Sequence, residues 1–264
     1  MFGTREEVRV SFAGKTSLVV GGTAGLGFEI ARKLVELQSR VVIMGRQREK
    51  GEAAASTLGD DVHFIECDVG DSRSVGDAFD ALAERHELHF AVNNAGVTGP
   101  HRPIRGTDPR DWDRLIQVNC SGPFYCLRRE IELIRRTTGG AIVNVSSCAG
   151  RLAIPHQAAY VAGKAALNLL TQVAAIENAT DHDGGFAVRV NAIAPGPILG
   201  GMNTAERLAA NPEGTKRKID VTAMKRFARP EEVVDSIIYL LGPGAAYVTG
   251  AILDVDGGYH AGKF

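Results

Sequence analysis

Short apolar runs alternate with longer amphipathic stretches along most of this chain. The runs that predict strands span residues 16–20, 40–44, 62–66, 88–92, 141–145, 188–193 and 251–255. Several are apolar throughout rather than alternating, which is typical of strands covered on both faces. The stretches that predict helices span residues 26–37, 49–58, 72–85, 109–136, 157–178 and 230–241. This alternation predicts one α/β domain, with an open, mostly parallel seven-stranded sheet and helices on both faces.

Length and composition are consistent with one such domain. The chain has 264 residues, 44% of them hydrophobic, which is enough for a sizeable core. The formal net charge is −1, so we expect neither wholesale nucleic-acid binding nor binding to an anionic membrane. Residues 1–10 are charged and lack a hydrophobic signal core. The longest uncharged stretch, 236–253, is broken by Gly242-Pro243-Gly244, so we expect no membrane span.

The cysteines give a weak indication of where the protein works. Cys67, Cys120, Cys126 and Cys148 form no C-x-x-C pair and no cluster with metal-ligand spacing. Four cysteines in a chain of this length are typical of reduced, mostly buried thiols, so we expect a cytoplasmic protein without a metal site. Cys148 follows Ser147 directly, and we interpret it as a packing residue rather than a nucleophile.

A glycine-rich turn follows the first predicted strand. It reads Gly21-Gly22-Thr23-Ala24-Gly25-Leu26-Gly27 and opens a helix. Glycines let the backbone approach a diphosphate, and a helix N-terminus offers that anion free N–H groups. A structural turn would explain the same residues, but the position between strand and helix is the one that a dinucleotide site requires. The spacing is Gly-x-x-x-Gly-x-Gly rather than Gly-x-Gly-x-x-Gly.

The end of the second predicted strand bears on the choice of cofactor. An acidic residue there would accept a hydrogen bond from the adenosine ribose 2′-hydroxyl and repel a 2′-phosphate. This chain instead has Gly45 followed by Arg46, whose guanidinium could pair with that phosphate. The alternative is a solvated arginine at the start of a loop. The sequence therefore favours NADP(H) over NAD(H).

Tyr160 and Lys164 are four residues apart in a predicted helix, and Ser147 precedes the tyrosine by 13 residues (160 − 147 = 13). Residues at i and i+4 share one helix face, so both side chains would enter one pocket. A tyrosine with its ordinary pKa of about 10 is a poor base at neutral pH, and a neighbouring ammonium would lower that pKa. With a serine hydroxyl to hold a carbonyl or alcohol oxygen, these groups could pass a proton to or from that oxygen. The alternative is two ordinary helix residues.

In their order along the chain, five features resemble the motifs of the short-chain dehydrogenase/reductase family over residues 15–259. They are the glycine turn, Asn93-Asn94-Ala95-Gly96, Asn119, Ser147 and Tyr160-x-x-x-Lys164. The resemblance implies a single doubly wound Rossmann-like domain, a nicotinamide cofactor, and a homotetramer or homodimer. It implies that Tyr160 is the catalytic acid/base and that Lys164 lowers its pKa and binds the nicotinamide ribose. Ser147 would orient the substrate oxygen, and Asn119 would hold a water of a proton relay.

The resemblance also implies the residues that line the cofactor site. They are Gly21, Thr23, Ala24, Gly25, Leu26, Gly27, Arg46, Asp68, Val69, Asn94, Ala95, Gly96, Tyr160, Lys164, Pro195, Gly196 and Ile198. We expect substrate contacts from Ser147, His156, Tyr160 and Met202, although His156 could equally be a surface residue. Residues 195–218 are rich in Gly, Pro and Asn, and we expect an irregular substrate loop or lid there, with a plain surface excursion as the alternative.

Two positions depart from the family pattern. Val20 stands where the glycine motif commonly carries threonine, and Gly200 stands where many members place a threonine near the carboxamide. The second departure leaves that contact in doubt. The function implied is hydride transfer between a nicotinamide cofactor, NADPH preferred, and a carbonyl or secondary alcohol. The alternatives are a catalytically silent nucleotide-sensing or scaffold protein, or an epimerase- or dehydratase-type reaction on the same fold.

Overall fold

The computed structural model describes residues 10–201 and 203–262, which form a seven-stranded parallel sheet flanked by helices. The strands are β1 Thr16–Val20, β2 Arg40–Gly45, β3 Val62–Glu66, β4 Phe90–Asn93, β5 Gly140–Val145, β6 Val188–Pro195 and β7 Ile252–Val255. The helices are α1 Gly25–Glu36, α2 Arg48–Leu58, α3 Ser72–Ala83, α4 Pro109–Ile116, α5 Gly122–Arg135, α6 Ala158–Glu177, α7 Ala205–Ala210, α8 Pro212–Asp220 and α9 Pro230–Leu241. The fold class predicted from the sequence is confirmed.

Strand β1 illustrates why apolar runs form the centre of this sheet. All five of its residues are buried. Successive side chains of a strand point to opposite faces. Leu18 and Val20 accordingly belong to the hydrophobic cluster that includes Phe79 of α3. Val19 belongs to the cluster on the other face, with Ile30 of α1. A strand covered by helices on both sides therefore buries successive side chains, here including the polar Thr16 and Ser17.

The strand order positions the site. The sheet runs β3-β2-β1-β4-β5-β6-β7, so β1 pairs with β2 on one side and with β4 on the other. The chain therefore builds outward in both directions from β1. In open parallel sheets, this reversal leaves a crevice at the carboxyl ends of the strands, where ligands bind.

The long helix expected over 109–136 contains a π-helical turn. Helix α4 ends at Ile116, a π-helical turn spans Gln117–Ser121, and α5 continues from Gly122. Gly122 lies against Val69, where an added Cβ would be 2.9 Å from the Val69 carbonyl oxygen. The inserted residue re-aims the side chains of the turn, a feature often found at functional sites.

The segment 195–218 is more regular than the sequence predicts. Strand β6 extends to Pro195, and helices α7 and α8 occupy most of the remainder. Each short helix has its own cap: the Thr204 hydroxyl accepts a hydrogen bond from the Arg207 amide, and Asn211 Oδ1 accepts one from the Gly214 amide. The expectation of an irregular segment is therefore wrong, because these caps stabilise two short helices among the glycines.

Within the described ranges, one helix, α6, has the length and apolar character that a bilayer span needs. It also buries Lys164, Asn168 and Thr171 and packs along β6. The uncharged stretch 236–253, judged from the sequence, is divided as expected: α9 ends at Leu241 and a turn begins at Pro243.

Candidate active site

A cleft of about 560 Å³ opens at the carboxyl ends of the strands. Residues that follow β1, β2, β3, β4, β5 and β6 line it, together with two residues of α6. Of the expected cofactor residues, the lining includes Gly21, Thr23, Ala24, Gly25, Leu26, Arg46, Asp68, Val69, Asn94, Ala95, Gly96, Tyr160, Lys164, Pro195, Gly196 and Ile198. Gly27, the remaining expected cofactor residue, is buried and does not line the cleft. The site is thus formed from segments distant in sequence.

The glycine turn is so tightly packed that side chains would not fit. At Gly21, which has a φ of +79°, an added Cβ would lie 2.7 Å from the Ala95 amide nitrogen. At Gly27 it would lie 2.0 Å from the Gly21 carbonyl oxygen. That carbonyl also accepts a hydrogen bond from Asn94 Nδ2 at 3.0 Å, which ties the turn to the end of β4.

The N-terminus of α1 faces this cleft without a side-chain cap. Ala24 precedes the helix in extended conformation and offers no capping oxygen. The first N–H groups of a helix have no partner within the helix, and they favour an anion. The cradle of close-packed glycines and free N–H groups fits a dinucleotide diphosphate.

The rim beyond β2 carries a free cation. Arg46 is exposed and lines the cleft. Within the described chain it makes no ion pair, whereas Arg48 pairs with Glu66 at 3.0 Å. Gly45 leaves room for Thr23, since an added Cβ would lie 2.7 Å from Thr23 Cγ2. Among the described residues, the charged side chain that lines the cleft at the end of β2 is thus a cation.

Asp68 stands at the end of β3, where it accepts a hydrogen bond from the Gly70 amide at 2.9 Å. The bond uses Oδ1 and shapes the turn. Its own backbone amide donates to Ser74 Oγ at 3.0 Å. Asp68 therefore has a structural role in the turn as well as a place in the cleft wall.

Tyr160 and Lys164 lie on one face of α6, as the i and i+4 spacing predicts. Lys164 Nζ is 5.9 Å from the centroid of the Tyr160 ring. It is 3% exposed and donates a hydrogen bond to the Val145 carbonyl oxygen at 2.8 Å. Ser147 follows β5, and its Oγ accepts a hydrogen bond from the Ala149 amide at 3.1 Å. All three side chains line the same cleft.

Burial dominates the protonation of these groups. It lowers the pKa of Lys164 to about 8. It raises the pKa of the Tyr160 hydroxyl, and a hydrogen bond with Ser147 acts in the opposite direction. The sequence argument expected Lys164 to lower the pKa of Tyr160. The pKa of Tyr160 instead moves upward, because burial disfavours the phenolate, and the ammonium of Lys164 donates its hydrogen bond to Val145.

Asn119 sits in the π-helical turn and is fully buried. Its Oδ1 accepts a hydrogen bond from the Val97 amide at 3.0 Å, and its Nδ2 donates to the Val97 carbonyl at 2.8 Å. A Cβ at Gly96 would lie 3.0 Å from Asn119 Oδ1 and 3.3 Å from Lys164 Nζ. Asn119 therefore fixes the segment after β4 beside the lysine, and its part in a proton relay stays a prediction.

A second, shallow hollow adjoins Tyr160 on the outer side. It is lined by residues 98–102, by His156 and by the start of α6. His156 is exposed, has a φ of +69° and accepts a hydrogen bond through its carbonyl from the Arg102 amide at 3.0 Å. The structure thus places His156 beside Tyr160 at an accessible rim. Met202, the other expected substrate residue, lies outside the described residues.

Sequence reasoning missed several lining residues. Gln47, Gly201 and Asn203 line the cleft, and His101 and Asp111 line the hollow. Asn203 Nδ2 donates to the Ile198 carbonyl at 2.8 Å and so holds the cleft wall. These residues lie in loops or at helix ends without a motif, so only tertiary structure reveals them. Cys148 is buried beside Ser147, and burial raises its pKa to about 11, as fits a packing thiol.

Comparison with known proteins identifies the family. The family described as enoyl-(acyl carrier protein) reductase matches residues 21–260. The chain is 33% identical to a 3beta-hydroxysteroid dehydrogenase of Mediterraneibacter gnavus, over 94% of this chain and 95% of that one. It is 34% identical to an NADP-dependent (R)-specific alcohol dehydrogenase of Lentilactobacillus kefiri, over 94% of this chain and 97% of that one.

The solved structures agree. A short-chain type dehydrogenase/reductase from Mycobacterium ulcerans superposes with a TM-score of 0.88 at 30% identity, covering 96% of this chain and 92% of that one. Members of this family use nicotinamide cofactors, and the glycine cradle of this chain fits one. The matched residues 21–260 include nearly all of those that line the cleft. The protein belongs to the short-chain dehydrogenase/reductase family.

Proposed function

We propose that the protein is an NADP(H)-dependent oxidoreductase that interconverts a secondary alcohol and the corresponding carbonyl compound. The observation that carries the proposal is the single cleft that joins the glycine cradle to Tyr160, Lys164 and Ser147. When bound, a nicotinamide cofactor supplies the hydride in reduction and accepts it in oxidation. The residues of the chain manage the proton and the substrate oxygen.

In this mechanism, Tyr160 carries the proton. Its hydroxyl delivers a proton to the substrate oxygen during reduction and removes it during oxidation, while the Ser147 hydroxyl holds that oxygen in place. A raised pKa keeps Tyr160 protonated and ready to donate. Lys164, with its pKa lowered to about 8, exchanges protons readily near neutral pH and can restore the proton that Tyr160 gives up. Asn119 holds the backbone that faces this lysine.

Arg46 supports the preference for NADP(H). Its side chain is exposed at the cleft rim beyond β2, and no acidic residue takes its place there. A guanidinium binds a phosphate by charge-assisted hydrogen bonds that a ribose hydroxyl cannot match. The relative from Lentilactobacillus kefiri is described as NADP-dependent, which supports the same choice.

The activity is tested by following NADPH consumption with a panel of carbonyl compounds. The panel covers acyclic ketones, cyclic ketones and 3-ketosteroids, the last because one relative is a 3beta-hydroxysteroid dehydrogenase. We expect stoichiometric oxidation of NADPH with at least one class. Binding of NADPH without consumption across the panel would favour a sensor or scaffold. Product formation without net consumption would favour an epimerase- or dehydratase-type reaction.

We further propose that the protein assembles as a homotetramer or homodimer. Leu169, Val173 and Ile176 are exposed at spacings of four and three residues along α6, and Phe124 is exposed on α5. Such an apolar stripe on two adjacent helices is typical of an interface between copies. Leu169→Glu should shift the mass measured by light scattering toward the monomer. The control, Ser56→Glu at an exposed position of α2, should not.

We propose a cytoplasmic location for this assembly. All four cysteines are free thiols, and three of them are buried. Reduced thiols are typical of proteins in reducing compartments. Fractionation of cells with a tagged protein tests the location, and recovery in a membrane or secreted fraction would contradict it.

A further inference from the structure

A carboxylic acid lies buried directly beneath the active site. Glu130 of α5 is 0% exposed and faces the ends of β4 and β5. Its Oε2 accepts a hydrogen bond from Asn93 Nδ2 at 2.8 Å. The same Nδ2 donates to Asn144 Oδ1 at 2.9 Å, and Asn144 Nδ2 donates to Thr171 Oγ1 at 2.8 Å. The carboxyl group is thus one end of a hydrogen-bonded polar chain that runs over β4 and β5, on one face of the sheet, from α5 to α6.

Two atoms of this polar chain have no hydrogen-bond partner among the described residues: Glu130 Oε1 and Asn93 Oδ1. They belong to the two groups that the 2.8 Å bond already joins. If Glu130 were ionised, both of these oxygen atoms would be acceptors, and no hydrogen bond could form between them. A single proton on Oε1 turns one of them into a donor. The carboxylic acid and the amide could then form a cyclic pair with two hydrogen bonds, which gives both oxygen atoms a partner at once.

No described residue offers Glu130 a compensating cation. Lys164 Nζ, the buried ammonium of α6, donates to the Val145 carbonyl. Arg129, the neighbour on α5, pairs outward with Asp80 of α3 and with Glu132. An isolated buried carboxylate is costly, so the group takes up a proton instead.

A thiol lies close to Glu130 on the same helix. Cys126 lies one turn earlier on α5, and Glu130 contributes to the raised pKa of that thiol, as does Cys67 at the end of β3. Strands β4 and β5 present Asn93 and Asn144 to the carboxyl group, and neither amide titrates. Burial raises the pKa of Glu130 to about 8, and the hydrogen bond from Asn93 opposes the shift.

We propose that Glu130 is a positioning residue that works as a neutral carboxylic acid, paired with the Asn93 amide beneath the active site. Asn93 precedes Asn94, whose side chain ties the glycine turn through Gly21. Asn144 precedes Val145, whose carbonyl holds Lys164. The paired acid therefore fixes two strand ends that carry the cofactor cradle and the lysine anchor. Loss of its proton leaves two facing acceptors and loosens both ends. The inference rests on the proposed function only for its effect on turnover.

The protonation is tested first in the unaltered protein. Infrared spectroscopy and carbon NMR of protein labelled with ¹³C at the glutamate carboxyls should show one protonated carboxylic acid at pH 7. Its signal should be absent in Glu130→Gln and should disappear as the pH of the unaltered protein rises through about 8. Ionised carboxylate at Glu130 throughout this range would overturn the proposal. This measurement needs neither substrate nor turnover.

The positioning role is tested with Glu130→Gln, which replaces the acidic O–H by an amide N–H and cannot ionise. We expect NADPH affinity within about twofold of the original at pH 6.5, a difference that is negligible in free energy. Lys164 titrates in both proteins between pH 7 and 9.5, so the comparison is between the two profiles. Over this range, the NADPH affinity of the unaltered protein should fall by at least about threefold more than that of the variant. The control is Glu132→Gln, an exposed carboxylate two residues away, which should follow the unaltered protein.

Two results with Glu130→Gln would overturn the proposal. A large loss of NADPH affinity in Glu130→Gln at pH 6.5, in a protein that folds, would mean that a carboxylate is required and would overturn the proposal. Parallel pH profiles of the variant and the unaltered protein would do the same. If the variant does not fold, the spectroscopic titration decides alone. Absence of turnover with every carbonyl compound would count against the proposed function and leave both of these measurements intact.

Discussion

Lys164 holds the carbonyl oxygen of Val145 at 2.8 Å while its Nζ stays 5.9 Å from the Tyr160 ring centroid. The lysine is thus anchored to the end of β5 rather than to the tyrosine that it serves. Because Ser147 lies two residues after Val145, one strand end positions both the serine and the lysine. The geometry of the proposed catalytic groups therefore depends on the sheet as much as on α6.

The anchoring of Lys164 predicts a conflict between stability and activity. Its pKa is lowered from 10.5 to about 8, so between these values the unfolded chain binds more protons and stability rises with pH. Below pH 8 the buried ammonium costs up to about 3 kcal/mol, while its hydrogen bond returns about 1 kcal/mol. Lys164→Met should raise the free energy of unfolding at pH 7 by about 1–2 kcal/mol and abolish turnover. Urea titration at pH 7 and pH 11 measures this.

The gain should be absent at pH 11, where the lysine is neutral in both states. A variant that is less stable than the original at pH 7 by about 2 kcal/mol or more would contradict the account, because the ammonium would then be a net structural contributor. Lys33→Met, at a partly exposed position of α1, is the control and should change stability little.

Glu130 predicts a pH dependence of opposite direction. Its pKa is raised from 4.5 to about 8, so in this window the folded protein binds the extra proton and stability falls as pH rises. The free energy of unfolding of Glu130→Gln should rise relative to that of the original protein by up to about 1.4 kcal/mol for each pH unit between 4.5 and 8. Above pH 8 the difference should stay constant. Chemical denaturation at several pH values checks this. A difference that does not vary with pH would show that the pKa of Glu130 is the same in the folded and unfolded states, which contradicts the raised value.

The glycine cradle predicts a sharp contrast between two helical glycines. Gly27→Ala would press a methyl group against the Gly21 carbonyl at 2.0 Å, and such overpacking costs about 1–3 kcal/mol. We expect the dissociation constant for NADPH to rise at least about tenfold. Gly76→Ala in α3 meets nothing within 4 Å and should stabilise the protein by about 0.5–1 kcal/mol. Equal NADPH binding by both variants would argue against the cradle as the diphosphate site.

Arg46 predicts the cofactor preference. Arg46→Asp removes charge-assisted hydrogen bonds worth about 1.5–3 kcal/mol, so kcat/KM with NADPH should fall about 10- to 100-fold. The value with NADH should hold or improve, because an acidic residue accepts from the ribose hydroxyl. Arg48→Gln, at the arginine already paired with Glu66, should leave the ratio of the two cofactors unchanged. If Arg46→Asp leaves the ratio of kcat/KM with NADPH to kcat/KM with NADH unchanged, another residue determines the cofactor preference.

The sequence predicts the fold well because hydrophobic period and length distinguish buried parallel strands from amphipathic helices. The run 16–20 has the bounds of β1, and 62–66 those of β3. Predictions fail where tertiary contacts decide. The start of β4 at Phe90 is set by its pairing with Ser17, and the π-helical turn around Asn119 has no local pattern. Helices α7 and α8 begin at the caps Thr204 and Asn211, but the surrounding Gly, Pro and Asn residues are more typical of a loop.

For the candidate site, motifs predict the residues but not their protonation. The pKa of Tyr160 is raised by burial and lowered by a hydrogen bond with Ser147, and the balance depends on packing that no motif encodes. Glu130 offered no signal, since one glutamate in an amphipathic helix is indistinguishable from its exposed neighbours. Its place against Asn93 emerges only when α5 packs on β4.

The most direct test of the account compares Tyr160→Phe with the original protein in two measurements on one preparation. NADPH binding is measured by fluorescence, and turnover is measured with the carbonyl compound that the original reduces best. We predict near-normal NADPH affinity and a loss of kcat of about 100- to 10,000-fold, because the proton donor is removed. Tyr125→Phe on α5 is the control and should retain turnover. Near-normal turnover by Tyr160→Phe would contradict the central claim that this hydroxyl carries the proton.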